Sequence, residues 1–127
     1  MIVVDASAVV LGLLNDGAAR RRLVADPIAA PHLVDAEVAH VLRTQARRGD
    51  IDATDAHRAL QRWARVGVER FGIVGLLERV WQLRDNLTAC DAASVALAEA
   101  LDCALLTADG RLGRASGPTC PITFVRS

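Results

Sequence analysis

Apolar and polar positions fall into blocks along this chain, and the period changes from block to block. Ile2-Val3-Val4 is a short unbroken apolar run that ends at Asp5. Such a run, rich in β-branched residues, reads as a strand buried on both faces. The apolar character continues from Ala6 to Leu14, too long for one strand, and predicts a helix broken by Asn15-Asp16-Gly17. Residues 18–25 read as a second helix ending at Asp26-Pro27, and Ile28–Pro31 as a short extended segment. Val34, Val38, Val41 and Leu42 recur at three- and four-residue spacing, which predicts a third helix over 33–48. Arg47-Arg48-Gly49 closes it, with basic residues in the last turn and glycine just beyond.

A fourth helix opens at Asp52 or Thr54 and runs to about Val66, with Ala56, Ala59, Leu60 and Trp63 on one stripe. Val68–Phe71 alternates as a strand does. Residues 73–86 predict a fifth helix with Val74, Leu77, Val80 and Trp81 in register. From Thr88 to Leu101 the chain is apolar nearly all round, which marks a central helix packed through its alanines. Cys103–Leu106 reads as a strand, a short helix follows to Ala115, and Ile122–Val125 is a last strand. This alternation predicts an α/β fold, a three-layer sandwich whose central parallel sheet carries helices on both faces. The 127 residues fit a single domain spanning 1–127.

Composition narrows the chemistry. Apolar residues make up 52% of the chain but aromatics only 3%, so the core is built from Ala, Val and Leu. Acids and bases balance at 15 each, so bulk charge does not announce a nucleic-acid binder. Every basic residue is Arg, and no Lys is present. That argues against a P-loop NTPase, a Schiff-base enzyme or a phosphotransfer receiver domain, each of which needs a lysine. Cys90, Cys103 and Cys120 show no C-x-x-C spacing and read as small structural hydrophobes in a reducing compartment. His32, His40 and His57 lack tight ligand spacing and read as surface or packing residues. No apolar run is long enough for a membrane span and no signal peptide is evident, so a cytoplasmic location is expected.

Four acids stand out by position. Asp5 ends the first strand, Glu37 borders the apolar face of the third helix, Asp91 opens the most apolar helix, and Asp109 follows the Cys103–Leu106 strand. Each has a structural alternative. Asp5 and Asp109 fit helix N-caps, Thr88 with Asp91 fits a capping box, and Glu37 has His40 and Arg43 as neighbours to pair with. Three of the acids nevertheless fall at the same edge of a parallel sheet. Two unit charges about 4 Å apart repel by roughly 4 kcal/mol at an effective dielectric near 20, so such a cluster calls for a compensating cation or shared protons. Carboxylate oxygens suit Mg²⁺ or Mn²⁺ rather than zinc, which points to phosphoryl chemistry.

Asp5-Ala-Ser7 after an apolar strand, Glu37 within Ala-Glu-Val-Ala-His-Val-Leu-Arg, Thr88-Ala-Cys-Asp91-Ala-Ala, and Leu-Leu-Thr107-Ala-Asp109 together resemble PIN-domain nucleases. Order, spacing and length agree over essentially the whole chain, and a free-standing domain of this size looks like the VapC-type toxin of a toxin–antitoxin pair. The resemblance implies an endoribonuclease dependent on Mg²⁺ or Mn²⁺, with one or two ions held by Asp5, Glu37, Asp91 and Asp109. Ser7 and Thr107 match supporting hydroxyl positions, where they would orient ligands or water, or cap helices. Cys90 departs from the pattern, since relatives often carry an aromatic residue there. The resemblance also implies an RNA substrate, a homodimer and a cognate antitoxin whose amphipathic segment lies in an apolar groove, with residues 8–14 and 33–42 as candidate walls. Arg20, Arg21, Arg22, Arg43 and Arg47 are candidate contacts to RNA phosphates. The competing reading is a non-catalytic module on the same fold that binds RNA or protein.

Overall fold

The computed structural model describes residues 1–126. Five short strands, β1 (Ile2–Val4), β2 (Ile28–Pro31), β3 (Val68–Phe71), β4 (Leu105–Thr107) and β5 (Ile122–Phe124), form one sheet in the order β3-β2-β1-β4-β5. All four pairings are parallel. Three-residue strands such as β1 survive because both faces are covered. Side chains alternate across a strand, so Ile2 and Val4 enter one core cluster while Val3 enters the other.

The first face carries α1 (Ala6–Leu14), α2 (Ala18–Ala25), α3 (Val34–Arg48) and α4 (Ala53–Trp63). The second carries α5 (Leu77–Gln82), α6 (Ala89–Ala100) and α7 (Gly110–Gly113). The three-layer α/β expectation therefore holds. Ala92 through Ala98 are all buried, which confirms α6 as the central helix. Its small side chains let its backbone lie close to the sheet. A Cβ on Gly12 would stand 3.2 Å from the Arg20 backbone nitrogen and 3.3 Å from the Ala19 carbonyl carbon, so this glycine allows the close approach of α1 and α2. Gly49 ends α3 in the left-handed conformation at φ 79°, as the Arg-Arg-Gly signal implied.

Two expectations need correction. The predicted helix over 73–86 is divided: a 3₁₀ turn over Val74–Leu76 precedes α5, which stops at Gln82. Most of its apolar stripe also faces outwards, Val80 being the exception. Val74 (83% exposed), Leu77 and Trp81 (65% exposed) lie outside, whereas Leu83 is buried and Leu76 and Val80 pack against the second core cluster. Arg84 stacks on the exposed Trp81 ring at 4.6 Å. The second correction is in β4, which is shifted two residues later at its start and one at its end than predicted, so that Thr107 is a strand residue and wholly buried.

Candidate active site

The strand order reverses direction between β1 and β4. The chain lays β2 and β3 on one side of β1, then crosses to place β4 and β5 on the other. A crevice opens at the carboxyl ends of strands on either side of such a switch, where open α/β sheets bind their ligands. Asp5 leaves β1 at this point, and Thr107 and Asp109 leave β4.

Asp5 is held by three donors. Its Oδ1 accepts from the Ser7 hydroxyl at 2.7 Å and from the Ala8 N–H at 2.9 Å, and its Oδ2 accepts from the Thr107 hydroxyl. Asp5 is thus the N-cap of α1 as well as a candidate site residue. Ser7 Oγ in turn accepts the Ala108 N–H at 2.9 Å, and Thr107 Oγ1 accepts the Asp109 N–H at 3.0 Å. Neither hydroxyl caps a helix. Both tie Asp5 to the segment after β4, and Thr107, being wholly buried, orients the carboxylate rather than a water.

Asp5, Glu37, Asp91 and Asp109 line one cavity of about 490 Å³, with His40 and Cys90 on its wall. Burial pushes the Asp5 carboxyl up despite its three hydrogen bonds, and Asp91 adds to the rise. Burial also raises Glu37, reinforced by Asp91 and Asp5. Thr88 caps α6 by accepting the Asp91 N–H at 3.3 Å. The Asp91 carboxylate makes no return bond among the described residues. It is left at the positive end of the helix, where a negative charge is favoured.

Asp109 is different. Its Oδ1 caps α7 by accepting the Arg111 N–H at 2.9 Å, and its Oδ2 pairs with Arg111 Nη2 at 3.1 Å. The Arg111 hydrogen bonds hold its carboxyl below the usual carboxylate range. Among the described residues, Asp5, Glu37 and Asp91 have no ion-pair partner, so the pairing of Glu37 with His40 or Arg43 does not occur. Asp35, two residues before Glu37, shows the contrast: it takes both Arg70 Nε at 2.8 Å and the Trp63 indole N–H at 2.9 Å.

The donor set fits a hard divalent cation. Asp5, Glu37 and Asp91, the first two raised by burial, share a cavity in which none of them has a salt-bridge partner among the described residues, although His40 lies on its wall. Among the described residues, no three Asp, Glu, His or Cys side chains are drawn close enough to enclose an ion. The acids line the cavity without closing into a coordination shell, as mutual repulsion requires.

Over residues 2–118 the chain matches the family model described as the PIN domain. It is 55% identical over 125 residues to the ribonuclease VapC9 of Mycobacterium tuberculosis, covering 98% of both chains. The chain belongs to the PIN-domain family, among the VapC ribonucleases. A crystal structure of PAE2754 from Pyrobaculum aerophilum has a similar fold at a TM-score of 0.71 and 25% identity, over 95% of this chain and 81% of that one. VapBC2 from Rickettsia felis, bound to a DNA fragment from its promoter, aligns with a TM-score of 0.67 at 14% identity, over 98% and 99%.

The other residues singled out in this sequence divide by environment. Arg20 donates to the carbonyls of Gly12 at 2.8 Å and Leu13 at 3.1 Å, closing the C-terminal end of α1. Arg22 pairs with Asp26 at 2.9 Å. Arg21, Arg43 and Arg47 are exposed. His32, His40 and His57 lie at the surface, as expected. Cys103 and Cys120 pack against the second core cluster, but Cys90 is exposed on the cavity wall and is no structural hydrophobe. Sequence reasoning missed Arg111, although Asp109-Gly-Arg111 beside a proposed ligand was the available signal. No helix among the described residues is long and apolar enough to cross a membrane.

Proposed function

We propose that residues 1–127 act as one nuclease domain, a divalent-cation-dependent endoribonuclease that hydrolyses RNA phosphodiester bonds as the toxin of a toxin–antitoxin pair. The observation that carries this reading is the convergence of Asp5, Glu37 and Asp91 on one cavity without a basic partner. Asp5, Glu37, Asp91 and Asp109 are the residues that would hold Mg²⁺ or Mn²⁺. A cation bound there lowers the pKa of a water and stabilises charge on the phosphodiester. Ser7 and Thr107 keep the Asp5 carboxylate aimed by occupying Oδ1 and one lone pair of Oδ2. Exposed Arg21, Arg43 and Arg47 are better placed to meet RNA phosphates than Arg20 or Arg22, whose guanidiniums are already engaged.

A homodimer and inhibition by a cognate antitoxin in the cytoplasm belong to the same reading. Support for the antitoxin comes from a trough along α1. A cavity of about 870 Å³ is lined by Leu13, Leu14, Leu23 and Val24. A second cavity shares Leu14, Asn15 and Gln45 with it, and shares Ser7 and Val41 with the acidic cavity. An amphipathic segment seated in the apolar part would therefore lead towards the acids. The expected wall at residues 8–14 lies along this trough, while residues 33–42 border its acidic end.

The test is cleavage of RNA by antitoxin-free protein in Mg²⁺ or Mn²⁺. Asp5→Asn should abolish cleavage while circular dichroism remains native. Unchanged cleavage by the variant would remove Asp5 from the reading. Failure of the wild type to bind either cation would favour a non-catalytic binding module.

A further inference from the structure

We propose that Arg111 is a built-in counter-ion that holds Asp109 and yields it when a divalent cation loads on Asp5, Glu37 and Asp91, so that Asp109 joins that cation only on release. The inference rests on the cation-dependent reading above and assigns a role to a residue outside the acidic set.

Asp109 alone of the four acids is neutralised. Arg111 reaches both of its oxygens, with Nη2 at 3.1 Å from Oδ2 and Nε at 3.4 Å from Oδ1. The pair is local, two residues apart across the start of a four-residue helix. Exchanging partners therefore requires one side chain to turn and no element to move. The Arg111 side chain is 86% exposed and that of Asp109 is 26% exposed, so the guanidinium lies on the solvent side of the carboxylate. Exposed ion pairs are weak, which makes this one replaceable by a cation. Asp109 itself lines the acidic cavity, so its guanidinium partner stands at the edge of that cavity. Asp5, Glu37 and Asp91 have no such substitute and are the carboxylates that a first cation relieves most. Once released, the guanidinium has a free planar fork, suited to two oxygens of a phosphodiester. Arg111 is thus a positioning residue that exchanges Asp109 for RNA.

Calorimetric titration of Mn²⁺ into antitoxin-free protein without RNA tests this. Wild type should bind one Mn²⁺ per chain. Arg111→Gln should bind it about two- to fivefold more tightly, the range set by a weak surface ion pair. Arg111→Lys keeps the charge and should stay near wild type, as should Arg65→Gln, a charge-matched control at an exposed position. The gain should vanish in an Asp109→Asn background, because Arg111 acts through that carboxylate. Mere structural damage would weaken Mn²⁺ binding, so the direction of the change is diagnostic. Unchanged or weaker binding by Arg111→Gln, a gain that persists in Asp109→Asn, or two equal sites in wild type would overturn the proposal. Wild type that binds Mn²⁺ with a flat Arg111→Gln response overturns the role of Arg111 alone; wild type that binds no cation overturns the functional reading as well.

Discussion

Asp91 and Glu99 lie about two turns apart on α6 and occupy opposite electrostatic settings. Glu99 accepts a fork from Arg79, with Nε at 2.7 Å and Nη2 at 3.0 Å. It also accepts the Thr119 N–H at 2.7 Å and hydroxyl at 2.9 Å. Those bonds, led by Arg79, pull its carboxyl down to about 2. The clasp is needed because a negative charge near a helix C-terminus opposes the dipole. It also joins the segment before β5 to α6, since Arg79 donates to the Gly117 carbonyl at 3.0 Å. Asp91 sits at the favoured end of the same helix, yet its carboxylate has no salt-bridge partner among the described residues and shares its cavity with Asp5, Glu37 and Asp109. The helix thus carries a carboxylate that ties neighbouring segments together and another that is left unpaired among the described residues. Residue type does not distinguish them; what packs against each does.

The strongest way to break the contrast is at the uncompensated end. Asp5→Asn should lower kcat/KM for RNA by more than the ~10–100-fold that loss of an outer-shell partner typically costs. Thr107→Val comes next. It preserves shape but removes the donor to Asp5 Oδ2, and should cost about 10–100-fold in Mn²⁺ affinity or cleavage rate. Calorimetry and single-turnover kinetics read both quantities. At the compensated end, Arg79→Ala should leave cleavage intact and lower stability by about 1–2 kcal/mol, measured by urea denaturation.

The smallest effect is the sharpest test, because the two ends predict opposite pH slopes. Glu99 has a folded pKa of about 2 against an ordinary 4.5. Its contribution to stability is present above 4.5 and lost as pH falls towards 2. Glu37 is shifted the other way, so the native state takes up its proton more readily than the unfolded chain does. Stability of the metal-free protein therefore declines as pH rises from about 4.5 through the raised native value. In EDTA, Glu37→Gln should flatten that decline, and Glu99→Gln should flatten the acid limb below it. Urea midpoints across pH separate the two, and saturating Mn²⁺ should mask the Glu37 effect alone.

Much of this was legible in the chain itself. Apolar periodicity located nearly every element, because strands buried on both faces and amphipathic helices carry different repeats. Asp5, Asp91 and Asp109 were found from their places at element ends, and Glu37 from its register beside an apolar helix face. Less was legible where a local pattern admits two orientations. Val74, Leu77 and Trp81 share helical spacing with a core face, but the 3₁₀ turn rotates them outwards and leaves Leu76, Val80 and Leu83 inside. Arg20 and Arg22 looked like their neighbour Arg21, and only packing showed Arg20 closing α1.

By itself, the sequence determined the repeats, the caps at Asp5, Thr88 and Gly49, and the set of acids that flank apolar elements. These are local consequences of backbone geometry and burial. Tertiary structure alone decided which acids are neutralised and which are left charged in a cavity. Thr107 reaches Asp5 across 102 residues and Arg79 reaches Glu99 across 20. Those approaches depend on β4 lying beside β1 and on α5 packing against α6. Electrostatic compensation acts over a few ångströms, so it follows from that packing and cannot be read from spacing along the chain.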